Sequence, residues 1–166
     1  MTEDSAPPTH RGGNAVTIWE LEVGKLPVYY FRMEGQPLSL KDREGMFQFY
    51  RETIATQRTF ATLYDFSLGL PGFMSHIGPL ASFCNGMRPV TKGKLQFMVA
   101  VCPDALYRGF LSLLLNSAPS HAPMYLVGTL EEAWAVLARS GDGDVPWNPA
   151  SEPPSATAAS FASVPL

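Results

Sequence analysis

The sequence predicts an α/β domain with a single mixed, mostly parallel sheet, an N-terminal β-hairpin and about four helices. Three observations predict it. Segments of strand character alternate with segments of helical period through the middle of the chain. Two strand-like runs stand back to back at its start, separated by Gly24-Lys25-Leu26-Pro27. Two helical runs open on capping signals, Ser39-Leu40-Lys41-Asp42 and Thr129-Leu130-Glu131-Glu132.

The elements follow in order. Thr17–Val23 alternates with a period of two and has one wetter face, carrying Glu20 and Glu22. Val28–Glu34, rich in Val, Tyr and Phe, completes the hairpin. From Ser39 a helix buries one face through Leu40, Phe47, Tyr50 and Ile54. Thr59–Asp65 is the third strand. A helix from about Phe73 to Met87 carries Phe73, Ile77, Leu80, Cys84 and Met87 at helical spacing. Gly78-Pro79 interrupts it, so its start lies either near Phe73 or near Pro79. Arg88 to Lys94 reads as a polar loop. Leu95–Val101 is an unbroken apolar run, the mark of a strand covered on both faces. Asp104 caps the next helix, Met124–Val127 is the last strand, and the final helix runs to Gly141. The order is β-β-α-β-α-β-α-β-α.

Of the 166 residues, 46% are apolar and 16% charged, enough apolar material for a core and too little charge for a disordered chain. Residues 1–15 read as a flexible leader, 16–140 as the domain, and 141–166 as a tail rich in Pro, Ser and Ala. The net charge is −3 without a basic stripe, so no nucleic-acid partner is expected. The leader lacks an apolar signal segment, and no run reaches the roughly 18 apolar residues of a membrane span. Two cysteines, Cys84 and Cys102, are too few for a disulfide framework, and a cytoplasmic location is expected.

Chemistry is sparsely signalled. Dinucleotide, phosphate-loop and nucleophile-elbow motifs are absent, and no catalytic residues, cofactor or metal are expected. Asp65 and Ser67 end a central strand, where open α/β sheets bind ligands, so the edge from Asp65 to Ser75 and His76 is the candidate partner or ligand site. Against that stands a local role: Asp65 capping backbone and Ser67 beginning a turn. His76 and Cys84 share one helix face, but Cys84 reads as a buried core thiol and no further ligands appear. Phe73, Met74, Phe83, Met87, Phe97, Met98, Phe110 and Leu113–Leu115 exceed what one apolar stripe needs. That excess means a thick core, an apolar pocket or a partner surface, with at least one of the three leucines exposed.

Certain residues resemble the STAS/SpoIIAA-like families, which are related in fold to the CRAL-TRIO lipid-binding proteins. They are Tyr29-Tyr30-Phe31-Arg32-Met33-Glu34-Gly35, Leu63-Tyr64-Asp65-Phe66-Ser67, and Tyr125-Leu126-Val127 followed by Thr129 to Leu137. The resemblance covers residues 16 to 140. It implies a non-enzymatic interaction or regulatory module that binds a protein partner or self-associates. The alternative is a carrier or sensor of a small apolar ligand or lipid. The family's Asp-Ser-Ser-Gly phosphorylation motif has here only Ser75, within Phe73-Met74-Ser75-His76, as a counterpart.

Overall fold

Gly24-Lys25 is the whole of the first turn, because Val23 pairs directly with Leu26. Gly24 takes a positive φ of 63°, which a side chain would resist. The strands it joins are Val16–Val23 and Leu26–Met33. The second therefore begins two residues earlier than the proline suggested. Pro27 is tolerated because pairing with the next strand starts only at Val28, so no ladder bond is lost on that side.

This computed structural model describes residues 10–12, 15–117 and 121–141. Strand β1 (His10–Gly12) lies within the stretch read as a leader and pairs antiparallel with β2 (Val16–Val23). It is followed by β3 (Leu26–Met33), α1 (Leu40–Glu52), β4 (Phe60–Asp65), α2 (Ile77–Thr91), β5 (Leu95–Val101), α3 (Ala105–Ser117), β6 (Met124–Val127) and α4 (Leu130–Gly141). The six strands lie in chain order across one sheet. The β1-β2 and β2-β3 pairs are antiparallel, and β3 through β6 are parallel. The expected hairpin, the mixed and mostly parallel sheet and the four helices are all present. The tail from residue 142 lies outside the described residues.

Sequential parallel strands with crossovers of one hand place the connecting helices on one face. Met46, Phe47 and Tyr50 of α1, Met87 of α2 and Leu111 of α3 accordingly share a core with Ile18, Tyr29, Phe31 and Phe60. The other face is covered by α4, where Ala133, Trp134, Val136 and Leu137 pack on Val28, Leu63, Val99 and Val101. Each fully buried Leu, Val or Phe stabilises by about 1.5–3 kcal/mol. Leu95–Val101 lies between these two layers, which explains its unbroken apolar run.

The caps form as the sequence implies. Ser39 Oγ accepts from Asp42 N at 3.0 Å while Asp42 Oδ2 accepts from Ser39 N at 3.1 Å. Thr129 Oγ1 accepts from Glu132 N at 3.2 Å, and Glu132 Oε2 accepts from Thr129 N at 3.1 Å. Asp104 Oδ1 accepts from Leu106 N at 2.6 Å. Leu40 departs from expectation. It is 66% exposed, and Met46 takes its place in the core.

The second helix resolves the alternatives at its start. A 3-10 turn over Phe73–His76 leads into α2 at Ile77. Pro79 sits in the first turn, where its missing N–H would have had no intrahelical acceptor. At the other end α2 continues through Pro89 to Thr91, in the stretch read as a loop. Lys92 N and Thr91 Oγ1 bond back to the carbonyls of Arg88 and Met87, each at 3.0 Å, and hold that last turn. No helix among the described residues is long and apolar enough to cross a membrane.

Candidate functional site

The edge predicted from sequence divides into two local arrangements. Asp65, at the end of β4, is buried and fully engaged. Its Oδ2 accepts from Tyr30 Oη at 2.9 Å, and its Oδ1 from Ser67 N at 2.9 Å and Ser67 Oγ at 2.5 Å. These bonds fix the strand end and shape the following turn. They also account for Tyr30, whose hydroxyl is held protonated above its ordinary range by burial and then by the Asp65 carboxylate. Ser67 itself is exposed.

Ser75 and His76 stand on the 3-10 turn. Ser75 is exposed and donates from Oγ to Gly72 O at 2.7 Å. His76 is buried, with its Nδ1 3.5 Å from Arg43 Nη1 of α1. Burial and then the Arg43 charge lower its pKa. Among the described residues no hydrogen bond joins the Asp65–Ser67 pair to Ser75 or His76. The four residues therefore do not converge on one chemical centre.

What converges lies inside. The sheet face formed by Phe31, Tyr64, Met98 and Met124 does not meet the helices everywhere. A cavity of about 140 Å³ remains beneath α1, α2 and α3. Phe47 and Tyr50 wall it from α1, Leu80, Phe83 and Met87 from α2, and Leu111 from α3. Phe66, Leu70 and Phe73, from the loop after β4 and its 3-10 turn, close one end. At the other end stand Arg88, Thr91 and His121. Arg88 and His121 are exposed, so the cavity reaches the surface there, beside the last turns of α2. Thr91 Oγ1 lies 3.2 Å from His121 Nε2.

Aromatic contacts hold the walls apart and in place. Phe47 stacks on Phe83 between the two helices. Tyr50 meets Phe60 and Phe83 edge to face, at centroid distances of 6.1 and 5.5 Å. Tyr64 stacks on Phe31 at 4.9 Å. Rigid rings propped against one another cannot collapse to fill the space as flexible side chains would.

The interior carries few polar groups. Tyr50, Tyr64 and Cys84 all line the cavity. Burial raises the Tyr50 hydroxyl above the usual tyrosine range, and Tyr64 and Cys84 add to it. Burial and then Cys84 raise Tyr64, with Thr62 pulling it partly back. Burial also raises the Cys84 thiol. All three therefore stay neutral and protonated at ordinary pH. Cys84 is accessible rather than a core thiol, because its place on the α2 stripe faces the open cavity. Cys102 is buried, and its thiol is pushed up to about 11 by burial. Among the described residues no three His, Cys, Asp or Glu side chains are grouped to hold a metal ion.

The apolar excess read from the sequence contributes in part. Phe73, Phe83, Met87 and Met98 line the cavity, whereas Phe97 packs under α4 and Met74 is exposed. Leu113 is half exposed, as the three-leucine run required of at least one member. The side chains of Phe110, Leu114 and Leu115 lie outside the described residues. Tyr50 and Tyr64 were not legible as site residues, since an aromatic at core spacing looks the same whether its neighbour is an atom or a void.

Comparison with family models, with curated proteins and with solved structures finds no match for this chain.

Proposed function

We propose that this chain binds a small apolar molecule in the cavity between its sheet and α1–α3, as a carrier or sensor without catalytic chemistry. The cavity itself carries the reading. A space of about 140 Å³ walled almost entirely by aromatic, Met and Leu side chains is costly to leave empty. It is also poor in polar partners for water, and apolar cavities of similar size stay dry and take up small apolar molecules. The fold relation of the STAS/SpoIIAA-like families to the CRAL-TRIO proteins agrees in kind. The volume favours a ligand far smaller than a long-chain lipid. The test is native mass spectrometry of gently purified protein, before and after equilibration with ethylbenzene. A ligand-bound species that collisional activation strips to the bare chain is expected. A bare chain in both samples would count against the proposal.

A second reading, a protein-interaction or regulatory module, is favoured by one observation. Leu68 and Met74 are 60% and 56% exposed, beside Ser67 and Ser75 at the carboxyl edge of the sheet. Two exposed apolar side chains flanked by accessible hydroxyls suit a contact surface that phosphorylation of Ser75 would disrupt. Recovery of a partner that Leu68→Asp and Met74→Asp abolish would support it. Equal recovery with these variants and the native chain would not.

A further inference from the structure

We infer that the cavity selects a neutral, single-ring molecule carrying one hydrogen-bond acceptor, which the hydroxyls of Tyr50 and Tyr64 orient. The inference rests on the apolar-ligand reading above and specifies its ligand class.

Volume sets the first limit. At about 140 Å³ the space matches the roughly 150 Å³ engineered apolar cavity known to admit benzene, so one ring with a short substituent fills it. Its walls set the second. Phe31, Phe47 and Phe83 line it with aromatic carbon and Met98 with a polarisable thioether, a surface that packs well against an aromatic ligand.

The interior donors set the third. Tyr50 and Tyr64 reach the cavity from opposite sides, one from α1 and the other from the sheet. Among the described residues Tyr50 has no hydrogen-bond partner. Burial, Tyr64 and Cys84 account for the whole rise in its pKa. Both rings are held by aromatic neighbours, Tyr50 by Phe60 and Phe83, Tyr64 by Phe31. Their hydroxyls are thus positioned before any ligand arrives, which spares the ligand an ordering cost. An acceptor on a ligand would give the Tyr50 hydroxyl a hydrogen-bond partner within the cavity that Tyr50 lines.

Charge sets the fourth. The polar groups on the lining apart from Arg88 and His121 are two phenols, the Thr91 hydroxyl and the accessible Cys84 thiol, none of them ionised at ordinary pH. The one cation on the lining, Arg88, is exposed to solvent at the mouth. A carboxylate drawn inside would lose its water and gain only neutral donors, a losing exchange.

The experiment uses the full chain and three probes of one size: acetophenone, ethylbenzene and benzoate. Dissociation constants are measured by titration calorimetry or ligand-observed NMR for the native protein, Tyr50→Phe and Tyr64→Phe. In at least one variant the affinity for acetophenone should fall about 3- to 10-fold relative to that for ethylbenzene, the worth of one hydrogen bond. Benzoate should bind at least 10-fold more weakly than acetophenone. The infrared carbonyl stretch of acetophenone bound to the native protein should lie below its value in a hydrocarbon solvent, a readout that needs no variant. Equal effects of both variants on acetophenone and ethylbenzene, an unshifted carbonyl stretch, or benzoate binding as tightly as acetophenone would each overturn the inference while leaving apolar binding intact. Failure of both acetophenone and ethylbenzene to bind the native protein would overturn the apolar-ligand reading itself.

Discussion

Phe47 of α1 and Phe83 of α2 stack face to face, with ring centroids 4.0 Å apart and planes 1° from parallel. The contact ties two helices that both stand over the cavity. Arg51 adds a cation over the Phe83 ring, 5.7 Å from its centroid. Phe83→Ala should therefore remove a strut as well as apolar area. Because Phe83 is only partly buried, the loss should fall below the roughly 3–5 kcal/mol of a core aromatic, at about 2–3 kcal/mol. Urea denaturation checks this. A change under about 0.5 kcal/mol would mean that the stack does not hold the helices.

The tyrosines make stability sensitive to alkali. Tyr29, Tyr30, Tyr50 and Tyr64 all have folded-state pKa values raised above the ordinary 10, each chiefly by burial, with Tyr29 pushed up to about 12. The unfolded chain loses these protons near pH 10, while the folded chain keeps them. Their contribution is fully present below pH 10 and is lost as pH rises above it. Each tyrosine costs at most about 1.4 kcal/mol per pH unit in that window. The denaturation midpoint should hold from pH 8 to about 9.5 and drop steeply by pH 11, with a shallower drop in Tyr64→Phe. A midpoint unchanged to pH 11 would show that these rings are not shielded.

On the acid side the sign is reversed at His76. Its folded pKa lies below the ordinary 6.5, because burial and Arg43 disfavour the imidazolium. Its contribution is intact above pH 6.5 and is lost as pH falls from there toward the folded value. Stability measured between pH 7 and 5.5 should decline in the native protein and decline less in His76→Gln. Identical slopes would place the imidazole in water.

Gly35 is required by geometry. It holds a φ of +71°, and a Cβ there would meet the carbonyl oxygen of Leu68 at 2.9 Å. That approach presses the loop after β4 onto the end of β3, where Leu38 and Leu70 help close the cavity. Gly35→Ala should cost about 2–4 kcal/mol, combining left-handed strain with a backbone clash. It should also loosen that end of the cavity. Thermal unfolding tests the cost, and a melting temperature within a degree of the native value would contradict it.

Much of the fold was legible because it rests on local signals. Ser39 and Thr129 cap where their reciprocal partners predict, and Leu95–Val101 is a strand end to end. The errors were those of non-local context. Gly24-Lys25-Leu26-Pro27 was read as a turn and Arg88 to Lys94 as a loop, yet Pro27 lies in a strand on the side without a ladder and Pro89 in a last helical turn. The short strand His10–Gly12 has no pattern of its own and exists through its pairing with β2. The candidate site was less legible. Asp65 and Ser67 showed their position at a strand end but not that they bond to each other and to Tyr30. The cavity depends on the spacing between helices and sheet, which stacked rings such as Phe47 and Phe83 set. Sequence periodicity shows which residues face inward, not how far apart they stand.

The apolar space between Tyr64 and Met98 on the sheet and Leu80 and Met87 on α2 should be dry. Diffraction from crystals of the protein pressurised with xenon tests this. One strong xenon peak is expected among these four side chains, absent when Leu80→Phe fills the space. Ordered water at that position, or no peak under pressure, would contradict it.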